Sequence, residues 1–279
     1  MKFTKNQAKI DKKWTTVFQK AVVFLFVWIN LAVFQAFPCL PSLTRAVADE
    51  YNWVEIGHFS TWFNQKERGR CENILLASSF IDGATLHPYG EFSFNQTVGR
   101  RTAQAGFRQA KIIQNGEYIE GVGGGVCQVS TTLYNAALLS GLVVTEYHPH
   151  SLAVSYVSPS RDAMVSSKSD FRLYNPYPYP VKIRLKAKNG DLIATVYGLN
   201  AANERKIEYK IFTRVLEEIL PPEPEERIGE KEEILRKGKS GVKSEAYLEK
   251  YEKGALVMRK LLRKDEYLPI REIIVKKSC

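Results

Sequence analysis

The stretch GVGGGVCQVSTTLYNAALLSG, residues 121–141, decides the interpretation of this chain. Four glycines in its first five positions lead into Cys127, then into a polar cluster and an apolar run. The apolar residues between Ser130 and Ser140 follow the 3.6-residue period of a helix, and Gly141 stands where a helix commonly ends. Ser130 or a neighbour would cap the start of this helix. The stretch therefore predicts a glycine loop that opens into a helix, with Cys127 at the junction.

Strand patterns lie on both sides of this helix. Two Asn-Gly pairs each separate two β-prone runs, which predicts hairpins that turn at Asn115-Gly116 and Asn189-Gly190. Other patterns predict a second helix within residues 60–80 and short strands at residues 91–99, 142–148 and 152–158. Together they predict an α+β domain, in which a mixed sheet with hairpins packs on the central helix after the glycine loop.

The basic excess of the chain is concentrated at its N-terminus. Of the formal net charge of +10 over 279 residues, residues 1–48 contribute six charges, from seven Lys or Arg and one Asp. The remainder shows no basic stripe interleaved with aromatic residues and no nucleic-acid-binding motif, so a nucleic-acid partner is not expected.

Residues 1–48 are predicted to be a signal peptide or a signal anchor. A basic stretch that ends at Lys20 precedes the uncharged run AVVFLFVWINLAVFQAF, residues 21–37. Ala46-Val47-Ala48 offers a small-x-small cleavage site. We therefore expect an exported cell-envelope protein, either secreted or anchored to the membrane through the uncleaved segment.

A change of composition predicts a boundary after residue 215, so residues 49–215 are assigned to the main domain. Three prolines among glutamates, at positions 221, 222 and 224, predict an extended linker or the first edge of a new module. Residues 216–279 are assigned to this linker and a small β module. Its predicted strands form a meander that turns at Gly254 and ends with IREIIV, residues 270–275.

Cys127 is the first candidate for chemistry. The first turn of a helix lowers a thiol pKa through its unpaired N–H groups and its dipole. Glycines allow sharp backbone angles there, and the N–H groups near Gly124 and Gly125 could hold an oxyanion. The polar side chains that follow, Gln128, Ser130 and Thr131, are candidates for substrate binding.

A nucleophilic thiol needs a base, and two histidines follow about twenty residues later. They are His148 and His150, in the segment EYHPHSLAVSY. Asp162 could orient a histidine or neutralise Arg161, and Arg161 could instead hold a substrate carboxylate.

Two other interpretations of Cys127 stay open. It could be a small buried residue at a tight turn, or it could form a disulfide with Cys71. The cysteines lack the spacing of a zinc site, so no metal and no cofactor are expected.

Two long segments carry a family resemblance. FSFNQTVGRRTAQAGFRQAKIIQNGEYIEGVGGGVCQVSTTLYNAALLSGL, followed by HPHSLAVSYVSPSRDAMV, closely resembles the VanW domain. The resemblance runs from about Phe59 to Gly198 and departs from the usual pattern at Tyr89 and Ser160. The tail resembles a degenerate copy of the G-five domain, a small β module of cell-surface proteins, in which Gly238, Gly241 and Gly254 are the shared glycines.

The resemblance implies a function. VanW-domain proteins are exported or membrane-anchored bacterial envelope proteins, named for their association with vancomycin B-type resistance clusters. Some are associated with L,D-transpeptidase activity on peptidoglycan through the motif cysteine. The resemblance thus implies that Cys127 is the nucleophile of an acyltransferase, that His150 is the preferred base with His148 as the alternate, and that stem peptides are the partners. The alternative is a non-catalytic envelope protein that binds wall peptide or a glycopeptide antibiotic.

Overall fold

The computed structural model of the chain describes residues 52–199, 207–229 and 231–277, which belong to one compact unit. The molecule is strand-rich with several small sheets, and this confirms the α+β class. The predicted targeting segment, residues 1–48, lies outside the described residues. Among the described helices, none has the length and apolar character that a membrane span requires.

The first part of the described chain alternates strands and helices. In chain order these are β1 (Trp53–Trp62), α1 (Arg68–Ile81), β2 (Thr85–Leu86), β3 (Glu91–Ser93), α2 (Phe94–Val98), β4 (Gln109–Gln114), β5 (Glu117–Val122), α3 (Val126–Leu139), β6 (Val143–Glu146), β7 (Arg172–Tyr174), β8 (Val181–Lys188) and β9 (Asp191–Leu199). The second part, here called the C-terminal module, consists of β10 (Ile207–Ile219), β11 (Glu225–Gly229), β12 (Glu233–Arg236), β13 (Gly241–Glu252), β14 (Ala255–Tyr267) and β15 (Ile273–Lys277).

A four-stranded sheet in the order β1-β9-β8-β2 carries the core of the first part. All of its strand pairs are antiparallel, so the predicted mixed sheet is wrong for this part of the molecule. Antiparallel pairing follows from the tight β8–β9 hairpin, which needs no crossover helix. Alternate residues of the hairpin are buried, namely Val181, Ile183, Leu185, Leu192, Ala194 and Val196. Helix α3 contacts β1 and β9 and completes the core.

Both predicted hairpin turns are confirmed. Asn115-Gly116 joins β4 to β5, and Asn189-Gly190 joins β8 to β9. All four turn residues have positive φ, between 51° and 89°, which Asn and Gly tolerate better than other residues. The predicted helix within residues 60–80 is also confirmed, as α1.

Helix α3 begins four residues earlier than predicted. Gly125, with φ of 103°, is the N-cap, and Ser130 lies inside the helix, so the predicted capping role of Ser130 is wrong. A side-chain cap is unnecessary because the loop carbonyls of Gly123 and Gly125 accept the N–H groups of Val126 and Gln128. The predicted C-terminal end of the helix is confirmed, because α3 ends at Leu139 and Gly141 follows with a φ of 77°.

Two predicted strands are wrong. Residues 91–99 form only the short strand β3 before helix α2, because the Ser93 hydroxyl accepts the N–H of Gln96 and caps a helix there. Phe94 and Val98 are four residues apart, so the helix buries both on one face. Residues 152–158 form an irregular loop, since β-branched residues give a strand only where a partner strand is available.

The C-terminal module contains the predicted hairpin and one different pairing. β13 and β14 pair across the turn at Lys253-Gly254, and β10 lies on the other edge of β13. β15 does not continue this meander but joins a second sheet, parallel to β11 and antiparallel to β12. β10 begins before the predicted boundary at residue 215, and the proline-rich segment leads directly into β11.

Substitution of Gly125 tests the junction between loop and helix. An added Cβ would lie 2.9 Å from Arg70 Cγ and 3.1 Å from Arg70 O, in addition to its unfavourable φ. Gly83 is the matched control, because its φ is 90° and nothing lies within 4 Å of an added Cβ. We expect Gly83→Ala to lower the free energy of unfolding by about 1–2 kcal/mol. Gly125→Ala should cost about 2–4 kcal/mol in urea denaturation, and equal losses would contradict this packing.

Candidate functional site

Polar side chains on α3 attach a buried segment of residues 161–165, here called the Asp162 segment. Ser130 Oγ donates to the carbonyl of Ala163 at 2.6 Å, and Thr131 Oγ1 accepts the N–H of the same residue at 2.9 Å. Asn135 Nδ2 donates to the carbonyl of Arg161 at 2.8 Å. These side chains are fully buried. The candidate substrate-binding residues Ser130 and Thr131 therefore make structural hydrogen bonds that hold Asp162 beside the helix.

Cys127, His150 and Asp162 lie together, with His150 between the thiol and the carboxylate. The Cys127 thiol donates to the carbonyl of Val165 at 3.4 Å, and the imidazole of His150 lies close enough to lower the thiol pKa. His150 Nδ1 lies 2.6 Å from Asp162 Oδ2, which also accepts the backbone N–H of His150 at 2.7 Å. Because a carboxylate can only accept, Nδ1 carries the proton and Nε2 is the nitrogen left for the thiol. This order of groups is that of a nucleophile, a base and the group that orients the base.

The electrostatics of the three groups favour a thiolate beside an imidazolium. Burial alone would raise the pKa of the Cys127 thiol, but its hydrogen bond to His150 and the charge of that ring hold the pKa below the ordinary value. Burial opposes the charged form of His150, yet the hydrogen bonds to Asp162 and Cys127 raise its pKa to about 9. Burial likewise opposes the charge of Asp162, whose pKa is lowered by the His150 hydrogen bond and charge and by Arg263 and Tyr267.

Two other predicted site residues, Gln128 and His148, lie apart from these three groups. Gln128 accepts from Arg70 Nη2 at 2.7 Å and donates to Thr61 Oγ1 and the Trp62 carbonyl, so its amide is fully used in the core. His148 pairs with Glu146 at the surface, at 2.9 Å. The structure therefore brings His150, and not His148, to the thiol.

Arg161 does not pair with Asp162. Its Nε donates to Asn135 Oδ1 at 2.8 Å, and its guanidinium lies 4.8 Å from the ring centroid of Phe59. The sequence left two roles open for Asp162, to orient a histidine or to neutralise Arg161. In the structure Asp162 contacts a histidine, His150. The guanidinium of Arg161 is held by protein groups, which argues against a role in holding a substrate carboxylate.

In the glycine loop, Gly124 allows close packing against β4, and several backbone N–H groups have no backbone acceptor. A Cβ on Gly124 would lie 2.5 Å from the Lys111 carbonyl, so only glycine allows the loop to pass this close to β4. Asn73 Nδ2 donates to the Gly124 carbonyl at 2.9 Å and fixes the loop from the other side. Within the described part of the chain, the N–H groups of Gly124, Gly125 and Cys127 donate to no backbone carbonyl. These N–H groups are therefore candidate oxyanion donors.

Sequence reasoning missed two residues near the thiol. An added Cβ on Gly123 would lie 3.2 Å from Arg101 Cβ, so the Arg101 side chain starts against the glycine loop. Arg101 Nη1 donates to Asn95 Oδ1 at 2.7 Å; burial lowers the Arg101 pKa, and the thiolate of Cys127 opposes that shift. Tyr156 lies close enough to Cys127 for burial, together with the thiolate charge, to raise the Tyr156 pKa. Neither residue lies in a local pattern that distinguishes it from its neighbours.

Both described cysteines are free thiols, so the Cys71–Cys127 disulfide is absent from this structure. The Cys71 thiol donates to the Asn64 carbonyl at 3.4 Å instead. Among the described residues, no group of three or more His, Cys, Asp or Glu side chains is placed to hold a metal ion.

Comparison with known proteins defines the class. Residues 69–197 match the family described as VanW like protein, which confirms the resemblance for this part of the chain. The chain therefore contains a VanW-like domain, and the Cys127, His150 and Asp162 side chains all lie within it. The protein named "Uncharacterized protein YoaR" of Bacillus subtilis (strain 168) is 44% identical over 166 residues, which is 59% of this chain and 55% of that protein. The chain thus spans about half the length of this relative.

Two solved structures resemble a smaller part of the chain. "IgA1 Protease G5 domain structure" is 20% identical with a TM-score of 0.20, and it covers 27% of this chain and 94% of its own. "Crystal structure of HP0197-G5" is 25% identical with a TM-score of 0.15, and it covers 25% of this chain and 97% of its own.

The pH dependence of Cys127 alkylation tests the ion pair. Because the Cys127 pKa lies below the ordinary thiol value, we expect the rate of alkylation by iodoacetamide to rise at a lower pH than for an ordinary thiol. His150→Gln removes the imidazolium and should move this rise upward, with a loss of about tenfold in rate for each pKa unit. His148→Gln is the matched control and should leave the profile unchanged. The hypothesis fails if both variants give the wild-type profile, as measured by mass spectrometry of the Cys127 adduct.

Proposed function

We propose that this protein is a cysteine acyltransferase of the cell envelope that acts on peptidoglycan stem peptides, in the manner of an L,D-transpeptidase. The observation that carries the proposal is the buried pair of His150 and Asp162, joined at 2.6 Å, with the imidazole beside the Cys127 thiol. A protein that only binds wall peptide has no need of a thiol whose pKa is lowered by a buried imidazolium. Perturbed pKa values of this kind are concentrated at functional sites.

The first half-reaction forms a thioester. The Cys127 thiolate attacks the carbonyl carbon of the acyl donor, and the new C–S bond replaces the C–N bond to the leaving amine. The imidazolium of His150 gives its Nε2 proton to that amine as the bond breaks. Asp162 keeps the Nδ1 proton in place and stabilises the positive ring.

The second half-reaction restores the enzyme. An amine of a neighbouring stem peptide attacks the thioester, and neutral His150 removes a proton from that amine. The new C–N bond forms as the C–S bond breaks, and the thiolate–imidazolium pair returns. Water in place of the amine would make the same site a hydrolase.

The glycine loop supplies the oxyanion donors in this proposal. The negative oxygen of each tetrahedral intermediate lies beside the nucleophile, where the unused N–H groups of Gly125 and Cys127 are found. Both donors belong to rigid backbone at the start of α3, so they need little reorganisation during the reaction.

Arg101 supports an acyl donor that carries a free carboxylate. Its side chain lies along the glycine loop and close enough to Cys127 for the thiolate charge to influence its pKa. A half-buried guanidinium beside the reacting carbonyl would attract the carboxylate of a leaving D-amino acid. Because the charge of Arg101, unlike that of Arg161, interacts with Cys127, Arg101 takes the role that the sequence suggested for Arg161.

The assignment to peptidoglycan rests on two further points. The chain contains a VanW-like domain, and the resemblance stated from the sequence links some members to this activity through the same cysteine. The N-terminal segment is predicted to direct export, which would bring the site to the wall.

Replacement of Cys127 tests catalysis against binding. With a disaccharide tetrapeptide and an amine acceptor under reducing conditions, we expect the wild-type chain to form a thioester adduct and the cross-linked product. Cys127→Ala and Cys127→Ser should form neither, with turnover reduced at least about a thousandfold. Cys71→Ala is the control and should retain activity. Intact-protein mass spectrometry detects the adduct, and muropeptide analysis detects the cross-linked product. A wild-type chain that binds the disaccharide tetrapeptide but forms neither adduct nor product would be a binding protein, which would refute the proposal.

Substitution of Arg101 tests the preference for a carboxylate. We expect Arg101→Gln to raise KM about tenfold or more for a donor with a free terminal carboxylate, because a charge-assisted hydrogen bond of about 1.5–3 kcal/mol is lost. An amidated donor should be affected far less. Arg100→Gln removes the same charge from an exposed neighbouring residue and is the matched control. Equal effects of Arg101→Gln on both donors would contradict this role.

A further inference from the structure

The carboxylate of Asp162 has partners on two sides. On one side Oδ2 accepts the two N–H groups of His150, at 2.6 and 2.7 Å. On the other side Oδ1 accepts the hydroxyl of Tyr267 at 2.5 Å and lies 3.4 Å from Arg263 Nη2. Arg263 Nη1 also donates to the backbone carbonyl of Asp162. Tyr267 and Arg263 both belong to β14, about one hundred residues further along the chain and in the C-terminal module.

The two residues of β14 are themselves fixed. Both are buried, with Tyr267 at 0% exposure and Arg263 at 4%. The Tyr267 oxygen accepts the N–H of Ser160 at 2.7 Å while its hydrogen goes to Asp162. Arg263 Nε pairs with Asp265, and its guanidinium lies 4.6 Å from the ring centroid of Tyr147. Neither side chain is therefore free to leave Asp162 without losing several buried contacts.

Two further contacts join the C-terminal module to the VanW-like domain. Ser244 Oγ on β13 lies 2.8 Å from Ser160 Oγ, and the N–H of Leu268 donates to the Ser151 carbonyl at 2.8 Å. These contacts are made two residues before Asp162, at Ser160, and one residue after His150, at Ser151. The C-terminal module thus touches the loop that carries both the proposed base and the group that orients it.

We propose that the C-terminal module is part of the candidate active site, with Tyr267 and Arg263 acting as positioning residues that hold Asp162 against His150. This inference rests on the proposed function, since a positioning residue presupposes a base to be positioned. It assigns to the module a role beyond that of a spacer or an attachment domain.

The physical basis is the cost of a buried carboxylate. A carboxylate that is 1% exposed keeps its charge only where hydrogen bonds and positive groups replace the lost water. His150 supplies hydrogen bonds and a positive charge to only one of the two carboxylate oxygens, Oδ2. Tyr267 and Arg263 satisfy the other oxygen and fix the plane of the carboxylate, so that Oδ2 faces both N–H groups of His150. Without them the carboxylate would gain a proton at a higher pH, and the imidazolium and thiolate would be lost with it.

The titratable and charged groups around this chain come from several elements. Asp162 faces His150, Arg263 and Tyr267, while Cys127 faces His150, Arg101 and Tyr156. Arg263 in turn faces Asp265, Tyr134 and Tyr147. Of the three side chains that face Asp162, Tyr267 is the one whose polar group can be removed without changing a charge, which makes Tyr267→Phe the primary variant.

The experiment measures Cys127 alkylation by iodoacetamide against pH in the full chain, below the thermal midpoint of each variant. In Tyr267→Phe the acid limb of the profile should move to higher pH, with the rate on that limb reduced about tenfold for each pKa unit. Arg263→Lys keeps the charge but loses the planar guanidinium, so it should shift the same limb by a smaller amount. Tyr251→Phe and Arg259→Lys are matched controls, because both side chains bond to Glu249 away from the site.

Alkylation needs no peptide substrate, so the test is independent of the proposed reaction. Wild-type profiles in both Tyr267→Phe and Arg263→Lys would overturn the positioning role, even if the two variants were less stable thermally. A shift equal to that of the controls would overturn it as well. Absence of turnover in a wild-type chain whose profile shifts with Tyr267→Phe would instead refute the acyltransfer reaction and leave the positioning role supported.

Discussion

The buried carboxylate of Asp162 is the constraint on which the site depends. A negative charge with almost no access to water must be matched by donors, and each donor comes from a different part of the chain. His150 follows β6, the Asp162 segment lies against α3, and Arg263 and Tyr267 belong to β14. Because every one of these groups is buried, a displacement of one leaves another without a partner. The carboxylate thereby fixes the relative positions of the loop, the helix and the C-terminal module.

Helix α3 provides the surface on which this arrangement is built. A helix in the middle of a core is ordinarily apolar on all sides, yet α3 buries Gln128, Ser130, Thr131, Thr132 and Asn135. Buried polar groups are tolerated only when they are hydrogen-bonded, and these side chains bond either to β1 or to the Asp162 segment. The polar residues after Cys127 are therefore explained by attachment of β1 and of the irregular Asp162 segment to the helix.

The geometry separates the two ends of the proposed mechanism. Cys127 and the N–H groups that donate to no backbone carbonyl lie at the start of α3. The groups that sustain the charge of His150 lie behind it, away from the thiol and in the interior. The C-terminal module contacts Asp162 through the carboxylate oxygen that does not bond to His150.

The sequence by itself determined the features that depend on a few neighbouring residues. The two Asn-Gly turns, the helix that ends at Gly141, the alternation along β8 and the position of Cys127 where a glycine loop meets a helix are all set by local backbone preferences and periodicity. The same local information failed at residues 94–98, where a Ser93 cap and the burial of Phe94 with Val98 favoured a helix over a strand.

Only the tertiary structure decided which residues meet. His148 and His150 are equivalent in the sequence, and packing alone sends one to the surface and the other to the thiol. Asp162 next to Arg161 suggests an ion pair, but Asn135 and Phe59 hold the arginine and leave the carboxylate for His150. Arg263 and Tyr267 carry no local signal, because their partner lies about one hundred residues away. The energy of a buried charge depends on the groups that surround it in space, and local sequence patterns do not record that arrangement.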